Sequence, residues 1–98
     1  MIEVRQTAIF LKWFQSLKDR RAKARIQVRI DRLETGHFGD VEAVGEGVCE
    51  LRIFYGPGYR VYFTKKNSVV VILLSGGDKS TQKADISNAK EIARQLEV

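Results

Sequence analysis

A chain of 98 residues leaves room for a single domain spanning 1–98, with a core that buries roughly 60–65 % of the unfolded surface. A formal net charge of +5 and a pI near 9.6 favour an anionic partner without naming it. The lone cysteine, Cys49, excludes a disulfide framework within one chain, and the longest apolar run, Val69–Leu74, is far too short to span a membrane.

The first expected element is a strand, Ile2 to Arg5. The N-terminal residues have no signal-peptide form, so the expected compartment is the cytoplasm. Thr7 to Leu17 presents Phe10, Trp13, Phe14 and Leu17 at the i, i+3, i+4, i+7 spacing of an amphipathic helix. A second helix should run from the N-cap Asp19 to the C′ residue Gly36, with Ala22, Ile26, Ile30 and Leu33 on its apolar side. Between Lys18 and Arg32 stand seven cations against only Asp19 and Asp31. That local excess equals the net charge of the whole chain. The basic arc, with Lys18, Arg21, Arg25 and Arg29, suits docking to RNA, since distributed cations supply affinity without reading sequence; it equally suits a plain solvated surface. The two helices should form a hairpin on one face of a sheet. Segment Gly36 to Gly47, GHFGDVEAVGEG, is the least determined by pattern; Phe38, Val41 and Val44 can anchor it, with a short strand allowed.

Val48 to Phe63 reads as two alternating strands around Gly56-Pro57-Gly58. Pairing Tyr55 with Tyr59 sets Phe54 opposite Arg60, Ile53 opposite Val61, Arg52 opposite Tyr62 and Leu51 opposite Phe63. Leu51, Ile53, Val61 and Phe63, with Cys49, then share an apolar face. Arg52, Phe54, Arg60 and Tyr62 share the other, where two guanidiniums beside two aromatics can hold a phosphate backbone and its bases, or simply keep an exposed face soluble.

The apolar run Val69–Leu74 has the form of a central strand covered on both faces, reached through a Lys65-Lys66-Asn67-Ser68 turn in which Asn67 takes a positive φ. Ser75 to Thr81 follows as a flexible, polar, phosphate-friendly segment, with Lys79 emerging at the end of the strand just before a helix that begins between Thr81 and Asp85. It is no P-loop, because Asp78 stands where that motif needs glycine. The last helix, about Asp85 to Glu97, carries Ile86, Ala89, Ile92, Ala93 and Leu96 on one side and should pack back on the domain.

The chemistry is narrowed by what is scarce. The only histidine, His37, excludes the two-histidine arrangement of many ribonucleases. Asp40, Glu42, Glu46, Glu50, Asp78 and Asp85 show no metal-ligand spacing, so neither a metal nor another cofactor is expected. What remains is a cationic site of Arg52, Arg60 and Lys79, with Tyr62 available to stack or donate. Such groups stabilise a phosphate better than they move protons.

ELRIFYGPGYRVYF, VVILLSGGDKSTQ and DISNAKEIA, preceded by LKDRRAKARIQVRIDRLETGHFGDV, resemble the addiction-module killer proteins over Phe14 to Ala93. These form the phage Gp49-like, HigB-type branch of the RelE/ParE toxin superfamily. The resemblance implies a RelE-like α+β fold: a mainly antiparallel twisted sheet of three to five strands, an N-terminal helical hairpin and a C-terminal helix. It implies a toxin of a type II toxin–antitoxin system that forms a hetero-oligomer with a cognate antitoxin, usually a small helix-turn-helix protein. RelE-like and HigB-like members are ribosome-dependent endoribonucleases that cut mRNA, whereas ParE-like members poison DNA gyrase; both activities stay open. By matched position, Arg52, Arg60 and Lys79 are similar to the family's catalytic cations, and Tyr62, Phe54, Lys18, Arg21, Arg25, Arg29 and His37 are the expected RNA contacts. The chain departs from many RelE-like toxins in having Gln82 and Lys83 where a tyrosine follows; Asp78 is the acidic alternative there.

Overall fold

Capped helices and alternating strands settle into the order β1 (Glu3–Gln6), α1 (Ala8–Ser16), α2 (Arg20–Leu33), β2 (Val41–Gly45), β3 (Val48–Ile53), β4 (Tyr59–Asn67), β5 (Val70–Gly77) and α3 (Gln82–Leu96), with one 3-10 turn at Lys79–Thr81. The computed structural model describes residues 1–96, so Glu97, the expected end of the last helix, lies outside the described residues. The sheet order is β1-β5-β4-β3-β2, antiparallel throughout except for the parallel pair β1 and β5. This is the expected α+β arrangement. None of the described helices is long and apolar enough to cross a membrane.

Local chemistry explains where the helices begin. The Thr7 hydroxyl accepts from the Phe10 amide at 3.1 Å and donates to the Leu74 carbonyl at 2.9 Å, so one residue caps α1 and ties it to β5. The Asp19 carboxylate accepts from the amides of Arg21 and Ala22 and starts α2. Gly36, with φ of +80°, follows the end of α2, which stops at Leu33.

The helical hairpin α1–α2 covers one face of the sheet. Phe10, Ile26, Ile30 and Leu33 meet Leu51, Ile53, Val61, Phe63, Val71 and Leu73 there. The opposite face is not open. Val48, Tyr62 and Leu74 pack beneath Ala89 and Ala93 of α3, with Ile72 and Ile86 at the margin. Tyr62 is 0 % exposed, so it is no surface stacking platform. The cause is the apolar stripe of α3, which needs a face to cover once α1 and α2 have taken the other.

The β3–β4 register differs from the expected one by two residues. Ile53 lies opposite Tyr59, Arg52 opposite Arg60, Leu51 opposite Val61 and Glu50 opposite Tyr62. The connection is longer than a tight turn, with Phe54 and Tyr55 outside β3. A shift of two preserves which side chains share a face, so the parity argument survives while the pairs change.

Ser75-Gly76-Gly77 is strand, not flexible loop. The ladder slips by one residue between Phe63 opposite Leu73 and Tyr62 opposite Ser75, a bulge that reverses the facing of the last residues of β5. Gly76 thereby turns to Trp13 of α1: a Cβ there would lie 2.3 Å from two ring carbons. Gly77 turns to α3, where a Cβ would lie 1.9 Å from Asp85 Oδ2. Both glycines are spaces that helices fill. Asn67 also differs from expectation: it belongs to β4, its φ is not positive, and its side chain accepts from the Val69 amide at 2.8 Å to close the Ser68–Val69 turn. At the sheet edge the allowed short strand exists as β2, and Glu46 and Gly47, at φ of +53° and +77°, turn it into β3.

Candidate functional site

Arg52 and Arg60 stand directly opposite each other on β3 and β4, an arrangement of like charges that costs free energy unless each finds its own partner. They part. Arg52 reaches outward to the loop before β2 and to β2 itself, donating to Asp40 and Glu42 at 2.8 Å each, and those carboxylates hold its guanidinium firmly in the charged form. Arg60 lies along the sheet beneath α3, its side chain only 13 % exposed, with Nε 3.7 Å from Glu50 Oε1 and Nη1 donating to the Gly58 carbonyl at 2.6 Å.

Gly58 is where the site closes up. Its φ is +79°, and a Cβ there would lie 3.0 Å from Arg60 Nη1 and 3.5 Å from Lys79 Cβ. The Lys79 amide donates to the Pro57 carbonyl at 3.4 Å. Lys79 thus arrives beside Arg60 through the turn between β3 and β4, although nineteen residues separate them in sequence. It is exposed and makes no ion pair among the described residues. Asp78 accepts from the Ser80 amide and hydroxyl at 2.8 and 2.5 Å; these hydrogen bonds, with the Arg60 charge, hold its carboxyl below the usual range, so it is ionised at neutral pH.

Under the first turn of α3 lies a buried polar row that sequence reasoning did not single out. Glu50, Tyr62 and Ser75 are cross-strand neighbours on β3, β4 and β5, and Glu50 is 1 % exposed. Gln82 Nε2 donates to Glu50 Oε2 at 2.8 Å. The Tyr62 hydroxyl, the Ser75 hydroxyl and Arg60 Nε find no hydrogen-bond partner among the described residues. Burial, followed by the charges of Glu50 and Asp85, pushes the Tyr62 hydroxyl's pKa upward and keeps it protonated. The signal in the sequence was Glu50 itself, a carboxylate two residues before Arg52 and so on the same face of β3.

On the far side of the turn, α2 and the end of β3 enclose an open groove of roughly 650 Å³. Arg21, Arg25, Arg29 and Phe54 all line it, with Ala24, Val28 and Ile53 as its apolar floor. Residues assigned from sequence to two separate surfaces, a helix face and a sheet face, therefore share one. Phe54 is 83 % exposed, and the Arg25 guanidinium sits 4.8 Å from the centre of the Tyr55 ring. Arg29 is the exception among the cations. It donates to the carbonyls of Arg52, Phe38 and Asp40, and so stitches the segment before β2 to β3 instead of presenting its charge freely. His37 lies beyond the other end of α2, about 20 Å along the helix from Arg21, hydrogen-bonded through Nδ1 to the Thr35 hydroxyl, and lines no part of the groove. Lys18 is exposed in the connection between α1 and α2.

Three comparisons bear on this arrangement. The family model described as "Phage derived protein Gp49-like (DUF891)" matches residues 12–97. An uncharacterized protein of Haemophilus influenzae is 53 % identical over 95 residues, covering 97 % of this chain and 96 % of the relative. The free state of a mutant of the E. coli toxin RelE superposes with a TM-score of 0.69 at 15 % identity, covering 91 % of this chain and 93 % of that one. At that identity the likeness concerns the fold, and the five-stranded sheet with its three helices is the RelE architecture. The chain belongs to the phage-derived Gp49-like family and carries the fold of the RelE toxin.

Proposed function

We propose that this protein is the toxin of a type II toxin–antitoxin pair and acts as a ribosome-dependent endonuclease of mRNA, held inactive in a hetero-oligomer with a small helix-turn-helix antitoxin. Membership of the Gp49-like family and the RelE-like fold support the toxin reading. The observation that carries the nuclease reading is the meeting of Arg60 and Lys79 at Gly58; a separate groove is lined by Arg21, Arg25 and Phe54.

In this reading the groove holds the RNA strand, while Arg60 and Lys79 at Gly58 act on it. Arg21 and Arg25 contact the backbone, and Phe54 offers a face for a base, a contact worth about 1–3 kcal/mol where it forms. Arg60 and Lys79 oppose the charge that develops on the phosphate as the 2′-oxygen attacks and the bond to the 5′-oxygen breaks, the departing 5′-oxygen taking its proton from solvent. Arg52, occupied by Asp40 and Glu42, contributes by releasing those carboxylates when a phosphate competes for it. Asp78 is ionised and can accept the 2′-hydroxyl proton, yet its lowered pKa makes it a weak base. So weak a set of proton-transfer groups needs RNA already oriented for in-line attack, which is what a ribosome provides.

In a purified translation system the protein should cut message only when ribosomes are present, leaving 2′,3′-cyclic or 3′-phosphate ends. Primer extension locates the cuts and end-group analysis reads the chemistry. Uncut message together with stalled gyrase–DNA complexes would replace the nuclease reading with a ParE-like one.

The groove has its own test. Arg21→Glu with Arg25→Glu should weaken ribosome association and flatten its salt dependence, because fewer counterions are released on binding. Sedimentation with ribosomes over a range of salt measures it. An unchanged slope would return the basic face of α2 to ordinary solvation.

A further inference from the structure

A carboxylate that is 1 % exposed, opposite Tyr62 and two residues along β3 from the buried Val48, is costly to bury, and packing alone gives no reason for it. Glu50 is held from both sides. Gln82, the first residue of α3, donates to Oε2 at 2.8 Å, and Oε1 faces Arg60 Nε at 3.7 Å, an ion-pair separation longer than a hydrogen bond. The Gly58 carbonyl takes Arg60 Nη1. Two of the three guanidinium nitrogens are thereby directed by the protein. Nη2 is left without a protein acceptor among the described residues.

We propose that Glu50 is the positioning residue of Arg60: anchored by Gln82, it fixes the plane of the guanidinium so that the Nη edge is presented at Gly58 beside Lys79. This rests on the reading of Arg60 as the group that meets the scissile phosphate. A flexible arginine opposite a second arginine would otherwise swing out to solvent, away from Arg52. Glu50 supplies the attraction that keeps it along the sheet, and α3 supplies the donor that keeps Glu50 in place. The first turn of α3 is thus part of the site's geometry although none of its side chains need touch RNA. A misplacement of about 1 Å at a phosphate-binding group is enough to cost on the order of a hundredfold in rate.

The test compares Glu50→Gln, Gln82→Ala and Arg60→Gln, alone and with Glu50→Gln added to Arg60→Gln. Single-turnover cutting of message on saturating ribosomes is measured beside nitrogen-15 spectra of the arginine Nε–Hε groups in the free protein. Glu50→Gln should lower the cutting rate on the order of a hundredfold, leave ribosome association unchanged, and shift and broaden the Arg60 Nε–Hε signal. Gln82→Ala should do the same more weakly, which covers the case in which Glu50→Gln fails to fold. Added to Arg60→Gln, the Glu50 change should have no further effect on cutting. An unmoved Arg60 signal, or an equal loss of rate in the Arg60→Gln background, overturns the proposal. If the unaltered protein cuts no message on ribosomes, the nuclease reading fails, and the Nε–Hε signal alone decides whether Glu50 positions Arg60.

Discussion

Arg60→Gln should reduce cleavage of translated message by about a hundredfold or more while the protein stays folded. Removing one preorganised donor from a site of developing negative charge costs that much when nothing replaces it, and Arg60 is the mostly buried member of the cationic pair. The choice of glutamine matters. Alanine would take from the buried Glu50 its ion partner under α3, a change that costs about 3–5 kcal/mol and confuses loss of activity with loss of fold. Glutamine can still donate to the carboxylate. Lys79→Ala makes a companion variant free of that complication, because its side chain is exposed. Circular dichroism with a growth assay separates the effects: folded variants of both kinds that remain fully toxic would remove Arg60 and Lys79 from the site.

Gly76→Ala should be among the most damaging single changes in the chain, lowering stability by about 3 kcal/mol. The new methyl would enter the Trp13 ring, whose neighbours leave it little room to retreat: Phe10 lies 5.8 Å away centre to centre and Tyr59 lies 6.4 Å away. For a domain of this size that loss lowers the melting temperature by roughly 12–24 °C. Gly77→Ala is the useful contrast. Its nearest obstacle is the end of the Asp85 side chain, which can turn away and give up its 2.5 Å hydrogen bond from Thr81, so the expected loss is only about 1 kcal/mol. Thermal melts of the two variants decide it. Equal effects would mean that Trp13 does not seat on β5 as described.

How much of this was legible in the sequence depended on which interactions were local. Thr7, Asp19 and Gly36 announce helix boundaries within a turn or so, and the helical spacing of Ala22, Ile26, Ile30 and Leu33 matches the buried side of α2. Alternation placed Arg52 and Arg60 on the same face, even with the pairing wrong by two residues, because parity survives an even shift. The turn length that sets the register was not encoded so plainly. Phe54 and Tyr55 look like strand by composition, yet they belong to the connection.

The even-numbered face was misread for a different reason. Arg52, Phe54, Arg60 and Tyr62 taken alone look like an exposed row, and only the apolar stripe on a helix more than twenty residues away shows that part of the row is covered. That is a tertiary fact. The glycine pair likewise reads as a flexible loop until Trp13 and Asp85 are brought against it. Arg29 belongs to the basic face by spacing, but the carbonyls of Phe38, Asp40 and Arg52 that occupy it come from segments whose conformation has no periodic signature.

The parallel pairing of β1 with β5 joins Glu3 to Val70 and carries the Thr7 hydroxyl to Leu74, closing about two thirds of the chain into one loop. Such a contact is slow to form, since its entropy of closure must be met before the pairing stabilises anything. During synthesis from the N-terminus, β1 and α1 emerge long before the strand they dock on exists. Arg60 has no Lys79 beside it, and Glu50 no Gln82, until the last quarter of the chain has been made. Assembly of the cationic site is therefore a terminal event, reserved for a chain that is almost complete.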